Sequence, residues 1–508
     1  MITILEQLIA HLGSYERSEF LAYVQKQNAV KETLLARMML SDNPPSSTEM
    51  KEEIYGKSEL KNFKRDAFNG LRKQLTERLI QWIVVDRIHD EYSSASRIFG
   101  LIIVSQFMLE RNGVESAREL LTKAEEIAIE KRRYEVLESI YTWLIQHAGL
   151  MKLTSADVIK KWKENRVKYD LICTLVQLLA TTREQVNKAK RNGKTLNPEN
   201  SIRHIRKSVR LVGEDVNNPL FQVLLAKLFR TAIVAGKDYT QFENYISKIH
   251  YRLKTRNCFR KGDEELEAEF LFMHAHACYR NRKFKQAETL CDEIVQLMTE
   301  KSLRLNPLYP RYMALRAGIA NMSGKNDEAI RAMEIALSGK IAQAEITEWL
   351  NMRLNLAVYY FNSGSFRKAA KAIHTIGKSD SELTELMGVE WCFKKQMIEL
   401  IIQYELGNQE ISLKMIKRLR GGYKDMLSLE MYKRADVFLG LLESLIKEPH
   451  AVSTSEFMDQ VKSSRLAWPG YKEDVQAIAF FCWLKSKMER RPYYEVFLER
   501  LNEEENNG

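Results

Sequence analysis

LNLAVYYFNSGSFRKAAKAIHTI, residues 354–376, reads as two short helices folded back on each other across a tight turn. Leu356, Ala357 and Tyr360 fall on one face of the first helix. Gly364 supplies the turn, and Phe366, Ala369, Ile373 and Ile376 fall on one face of the second. Small and apolar side chains at that spacing are what two helices need at close contact, because residues three and four apart share a helical face.

The same arrangement recurs on either side. LFMHAHACYRNRKFKQAETLCDEI places Ala275, Cys278, Phe284, Ala287, Cys291 and Ile294, with Arg282 where a turn glycine is expected. MALRAGIANMSGKNDEAIRAMEIAL places Ala317, Ala320, Gly324, Asn326, Ala329, Met333 and Ala336. IELIIQYELGNQEISLKMIKRL places Gly407, Ser412, Ile416 and Leu419. The pattern resembles the tetratricopeptide repeat. Its landmark stands at Ala287, Ala329, Ala369 and Ser412, a step of about 40 residues against about 34 in the standard repeat. The resemblance implies an all-α, right-handed superhelical solenoid of long-period repeats. An extra helical turn or longer connections would absorb the difference in period.

Composition agrees. Among 508 residues, 9 prolines and 22 glycines are too few for a sheet-rich chain, and 45% hydrophobic residues are enough to bury a core. Residues 1–95 lack the repeat and read as an N-terminal helical module, with helices over Ile2–His11, Ser18–Gln27 and Lys31–Leu40. A further helix over Glu49–Tyr55 is expected to be capped by Ser47 or Thr48, and a long one runs from Leu60 to Asp90. Residues 96–262 carry a degenerate echo, including Gly113 (displaced by one place), Ala117, Leu121 and Ala124, and a second candidate turn at Gly236. Residues 263–450 hold the clear repeats. Residues 451–508 are expected to cap the array, with an apolar helix over Asp474–Met488 and a frayed tail from Asn502.

The N-terminus has no basic segment or cleavage site, so it reads as an amphipathic helix. No run approaches the roughly 18 uncharged apolar residues of a membrane span. A cytoplasmic chain is expected, with its six cysteines as free thiols.

Motifs for chemistry are wanting. Three GK[ST] triplets, at Gly56, Gly193 and Gly377, lack the glycine five places earlier and a preceding strand, so no phosphate loop is expected. His274 and Cys278 share a helical face and His276 lies nearby, yet no second ligand pair accompanies them, and Cys278 holds a packing position. Acidic residues such as Glu125 and Glu126 read as solvated surface. The expectation is a non-enzyme with no cofactor and no metal.

Two binding surfaces follow. In the family resembled, first helices line the concave groove and contact the ligand. Carried over, these positions are Glu269, Phe272, His276 and Tyr279; Arg311, Ala314, Gly318 and Asn321; Asn351, Leu354, Val358 and Phe361; and Lys394, Met397, Ile401 and Tyr404. The set lacks the Lys/Asn arrangement that clamps a terminal carboxylate in some members. Being largely apolar and aromatic, it implies a protein or peptide partner, either an apolar peptide or an amphipathic helix. The competing occupant is a helix of this same chain, the C-terminal one or the long one around Leu71.

The second surface is basic. Lys188, Lys190, Arg191, Lys194, Arg203, Arg206, Lys207 and Arg210 lie within one segment, and Lys248 to Lys261 forms another, within a chain of net charge +11. Both could contact nucleic acid. Residues 47–79 resemble the second and third helices of a winged helix, which would bring Lys61, Lys64, Arg65, Arg72 and Lys73 to DNA. The alternative function is therefore a nucleic-acid-associated regulator.

Overall fold

The computed structural model describes residues 3–41, 43–56, 65–89, 94–193, 198–209, 211, 213–235, 239–299, 303, 306–338, 345–464, 466 and 475–506. Among these the chain is helical throughout, with no strand. It divides into two compact units, Met1–Tyr169 and Asp170–Gly508.

In the first unit, helices Ile4–His11, Ser14–Lys26, Val30–Met39 and Ser47–Tyr55 pack with the long helix Arg65–His89. One apolar face of that helix is buried. Phe68, Leu71, Leu75, Leu79 and Trp82 meet Leu5, Phe20, Val24 and Leu35 in one core, with Phe20 and Trp82 rings 5.6 Å apart. Each such side chain contributes about 1.5–3 kcal/mol on burial, which outweighs any exposed ion pair. The helix cap differs from expectation by one place. Ser46, not Ser47 or Thr48, accepts from the Glu49 amide, and the Glu49 carboxylate accepts from the Ser46 amide, so the helix starts at Ser47, two residues before the expected Glu49.

Helices Ser94–Glu110, Val114–Glu130 and Tyr134–His147 continue as antiparallel neighbours, with Ala117, Leu121 and Ala124 buried. Asn112 takes the left-handed backbone position (φ 61°), which explains the displaced glycine. Glu125 is not solvated surface. It is buried and accepts from Tyr141 Oη (2.9 Å) and Lys161 Nζ (2.8 Å).

The second unit is an all-α helical-repeat solenoid. Its four clear repeats are helix pairs Glu264–Arg280 with Phe284–Leu297, Tyr309–Met322 with Asn326–Ser338, Ile346–Asn362 with Phe366–His374, and Val389–Glu405 with Gln409–Gly422. Ala275, Ala287, Ala317, Ala329, Ala357 and Ala369 are fully buried, where the helices touch. Ser412 replaces the alanine in the fourth pair and is equally buried. Its hydroxyl is satisfied by donating to the Asn408 carbonyl at 3.0 Å. Gly324, Gly364 and Gly407 turn with φ between 71° and 82°, and Arg282 holds the same conformation at φ 63°.

The long period arises mainly between pairs. Leu297 and Tyr309 are joined by a connection from which Leu303 is buried, and a separate short helix, Asp380–Met387, precedes the fourth pair. A further pair, Pro219–Ala235 with Tyr239–Thr255, stands ahead of the four. Its first helix packs on Glu264–Arg280. The Gly236 turn suggested for it lies outside the described residues.

At the other end Lys433–Lys447, Ser455–Ser463 and a hairpin, Val475–Glu489 with Tyr493–Asn506, complete the unit. Residues Asn502–Asn506 are helical, not frayed, because Phe497 and Leu501 anchor the helix that carries them.

Candidate partner-binding groove

Successive first helices of the second unit approach one another more closely than successive second helices do. The array therefore curves with the first helices on its inner face, and the groove positions can be read from there.

Towards the C-terminal ends of these helices, the face is taken by the chain itself. Phe361 meets Tyr493 with ring centroids 5.4 Å apart, and Tyr404 meets Trp483 at 5.2 Å. Trp483 Nε1 donates to Glu405 at 2.7 Å and Lys487 pairs with the same carboxylate. Tyr494 Oη donates to the Asn321 carbonyl. Ile401 borders the core that holds Phe438 and Trp483. The apolar part of the groove thus has an occupant, the C-terminal hairpin.

Several other groove positions are buried. Phe272, Asn321, Leu354 and Met397 are each under a tenth exposed. Asn321 ties two repeats together. Its amide donates to Asn326 Oδ1 (2.8 Å), and Asn326 donates to the Tyr359 carbonyl (2.9 Å). Asn351 accepts from Trp391 Nε1 at 2.9 Å, and Lys394 pairs with Glu390. Val358 is half-buried against the second and third repeats. Gly318 is where Tyr279 comes closest, since a Cβ there would stand 3.0 Å from its hydroxyl.

Arg230, His276, Arg311 and Glu348 are each half-buried, around the buried Phe272. Arg230, on Pro219–Ala235, and Arg311, in the first turn of Tyr309–Met322, each place a guanidinium 5.7 Å from the centre of the buried Phe272 ring. His276 is 6.2 Å from Phe272 and 6.4 Å from Tyr239, centre to centre. Burial, then Arg230 and Arg280, hold its imidazole far below the usual histidine range, so it is neutral. Burial and the Arg311 charge push Arg230 down. Burial raises the Glu348 carboxyl, against the pull of Arg311 and Arg230. Glu269 is tied to Lys227 at 2.6 Å. Sequence reasoning missed Arg230 because no repeat frame was laid on its helix. Lys227, on the same helix, holds there the place that Phe272 holds in the next.

The histidines divide. His274 shares a 2.9 Å contact with His250 through their Nδ1 atoms and a 3.0 Å contact with Ser247, all between helices. His276 faces the other way, towards Tyr239 and Phe272. No cluster able to hold a metal occurs among the described residues. Cys278, Cys291, Cys392 and Cys482 are buried thiols, and burial pushes Cys278 and Cys291 up to about 12.

Of the basic segment, Lys188, Lys190, Arg191, Arg203 and Lys207 are exposed. Arg191 donates to the Glu385 carbonyl at 2.9 Å, which fastens the end of helix Ser155–Arg191. Arg203 and Lys207 lie on the outer side of Pro198–Ser208, whose Ile202 and Ile205 are buried. Lys194 and Arg210 lie outside the described residues, as does the Arg206 side chain. In the first unit Lys61 and Lys64 also lie outside them, and the Arg65 side chain with them. Arg72 is engaged by Glu6 (2.6 Å) and Thr3 (2.7 Å).

The fold and this inner face define the class: an all-α helical-repeat protein. No protein-family profile matches the chain, and no curated protein matches it. Among solved structures it is similar to the apo form of RapI, with 13% identity and a TM-score of 0.39, over 81% of this chain and 99% of that one. The fold is established by the helix packing described above. No helix among the described residues is long and apolar enough to cross a membrane.

Proposed function

We propose that this chain is a non-enzymatic scaffold of the long-period tetratricopeptide type. It binds a segment of another protein, or a peptide, along the part of the inner face that its own C-terminal hairpin leaves open. The observation that carries the reading is Arg230, Phe272, Arg311 and Glu348. They come from four successive first helices and converge on one spot, although each is far from the next in sequence. A surface assembled from consecutive repeats suits an elongated ligand, because each repeat offers a contact at the next step along it.

The test is affinity selection of a synthetic random-peptide library on the immobilised full chain. Val358→Arg would put a bulky charge on the inner face, on the helix that carries Glu348. Because Val358 is half-buried against the second and third repeats, the variant should melt somewhat lower than the parent; read at a temperature where circular dichroism shows it folded, capture should fall at least tenfold. Capture that Val358→Arg leaves unchanged would remove the groove from consideration.

A further inference from the structure

We propose that Arg230 and Arg311 form a seat for a single carboxylate of the bound segment, with the Phe272 ring as its floor. This rests on the groove reading above and specifies its ligand.

Two guanidinium groups from different helices are brought to one aromatic face, each 5.7 Å from its centre. Cation–π attraction holds each of them. Their mutual repulsion opposes the arrangement, and it grows as water is excluded. An anion between them would reverse the sign of that term.

Among the described residues the chain supplies no such anion at contact distance. Neither guanidinium is in an ion pair with any of them, whereas Lys227 nearby has Glu269 to itself. Arg230 Nε is buried and has no hydrogen-bond partner, and neither has His276 Nδ1 beside it. A buried N–H of a charged group left unbonded is costly, and a carboxylate oxygen would satisfy it. Glu348 approaches the pair without closing on it, and its own carboxyl is raised by burial. Arg311 also stands in the first turn of its helix, where the helix dipole favours negative charge.

The chemistry selects the ligand group. A planar guanidinium fork matches the two oxygens of a carboxylate. Glu348 alongside disfavours a doubly charged phosphate, because a second negative charge would face it. The ligand is therefore a peptide presenting an Asp or Glu side chain, or its free C-terminal carboxylate, at this point.

The experiment uses the full chain with two random-peptide libraries, one with free C-termini and one amidated. Enrichment of Asp or Glu at one position in both libraries assigns the seat to a side chain. Enrichment confined to the free-acid library assigns it to the terminus. On the best enriched peptide, Arg311→Gln should weaken binding roughly tenfold or more, and Arg311→Lys by less. Arg230→Gln should do the same. Because Arg230 is the more deeply placed, the Arg311 variants decide if that chain fails to fold. Captured peptides with no acidic preference and no response to amidation would overturn the seat. So would unchanged affinity in Arg311→Gln. In both cases the groove would stand if Val358→Arg still abolished capture. Capture of no peptide at all, or capture blind to Val358→Arg, would overturn groove and seat together.

Discussion

Gly318 shows how closely the inner face is built. A Cβ at this helical position would meet Tyr279 Oη at 3.0 Å and Cζ at 3.1 Å. Alanine gains about 1 kcal/mol of helix propensity over glycine, which offsets most of the crowding. Gly318→Ala should therefore shift stability by no more than about 1 kcal/mol. Gly318→Val adds two more carbons and a stiff rotamer, and should cost about 2 kcal/mol or more in denaturant titration. Equal stability of the two variants would mean that Tyr279 gives way freely.

His274 makes a pH-dependent prediction. Burial and the neighbouring His250 hold it at about 4, against an ordinary 6.5, and His250 is also lowered, mainly by burial. The unfolded chain then binds the proton more readily. Stability associated with the pair is complete above pH 6.5 and declines as pH falls towards 4, by up to about 3 kcal/mol. His274→Gln should be less stable than the parent at pH 7. The gap should narrow at pH 4.5, read as melting temperatures of the two chains in matched buffers.

These two positions also show what one chain of residues can and cannot disclose. Ala275, Ala317 and Ala357 announce their role, since small residues at helical spacing have few other reasons to recur. Gly318 and His274 have many. The surroundings of Phe272 could not be read because they depend on two arginines from other helices, one of them 42 residues upstream.

Helices were legible where the apolar stripe was clean, and their junctions where glycine marked them. Arg282 and Arg490 (φ 63° and 52°) escape that rule, since the packed helices impose the turn on residues that would not choose it. The Tyr493–Asn506 helix was hidden for this reason and because its end, EEEN, reads as a solvated tail. Gly388 is the opposite case, a glycine whose need comes from packing. It joins Asp380–Met387 to Val389–Glu405 at φ 90°, and a Cβ there would stand 2.8 Å from the Lys190 carbonyl oxygen. Both the backbone conformation and the contact exclude a side chain. Gly388→Ala should cost about 2–4 kcal/mol. It should also release the end of helix Ser155–Arg191, which Arg191 fastens to Glu385. Limited proteolysis around residues 190–198 should then accelerate. Unaltered cleavage would show that the Arg191 bond holds that end unaided.

At the scale of the solenoid unit, the question is whether the C-terminal hairpin is a fixed part of the fold or a removable occupant of the groove. Its contacts favour the first. Trp483 is almost fully buried, packs edge-on against Phe438 and Tyr404, and bonds Glu405, while Phe480 stacks on Phe438 with centroids 4.5 Å apart. Removing such aromatic side chains costs about 3–5 kcal/mol each, more than half of what holds a typical domain together if two are lost. A chain ending at Ser464 should therefore bind a hydrophobic dye, melt well below the parent, and tend to aggregate through the uncovered Phe361, Ile401, Tyr404 and Phe438. The milder Tyr494→Phe removes only the hydroxyl bond to the Asn321 carbonyl and should cost about 1 kcal/mol without uncovering the face. A displaceable occupant would behave otherwise. The shortened chain would stay folded, and a peptide carrying residues 475–506 would bind back to it with measurable affinity. That outcome would turn the apolar end of the groove from core into a second binding surface, beside the arginine-lined end.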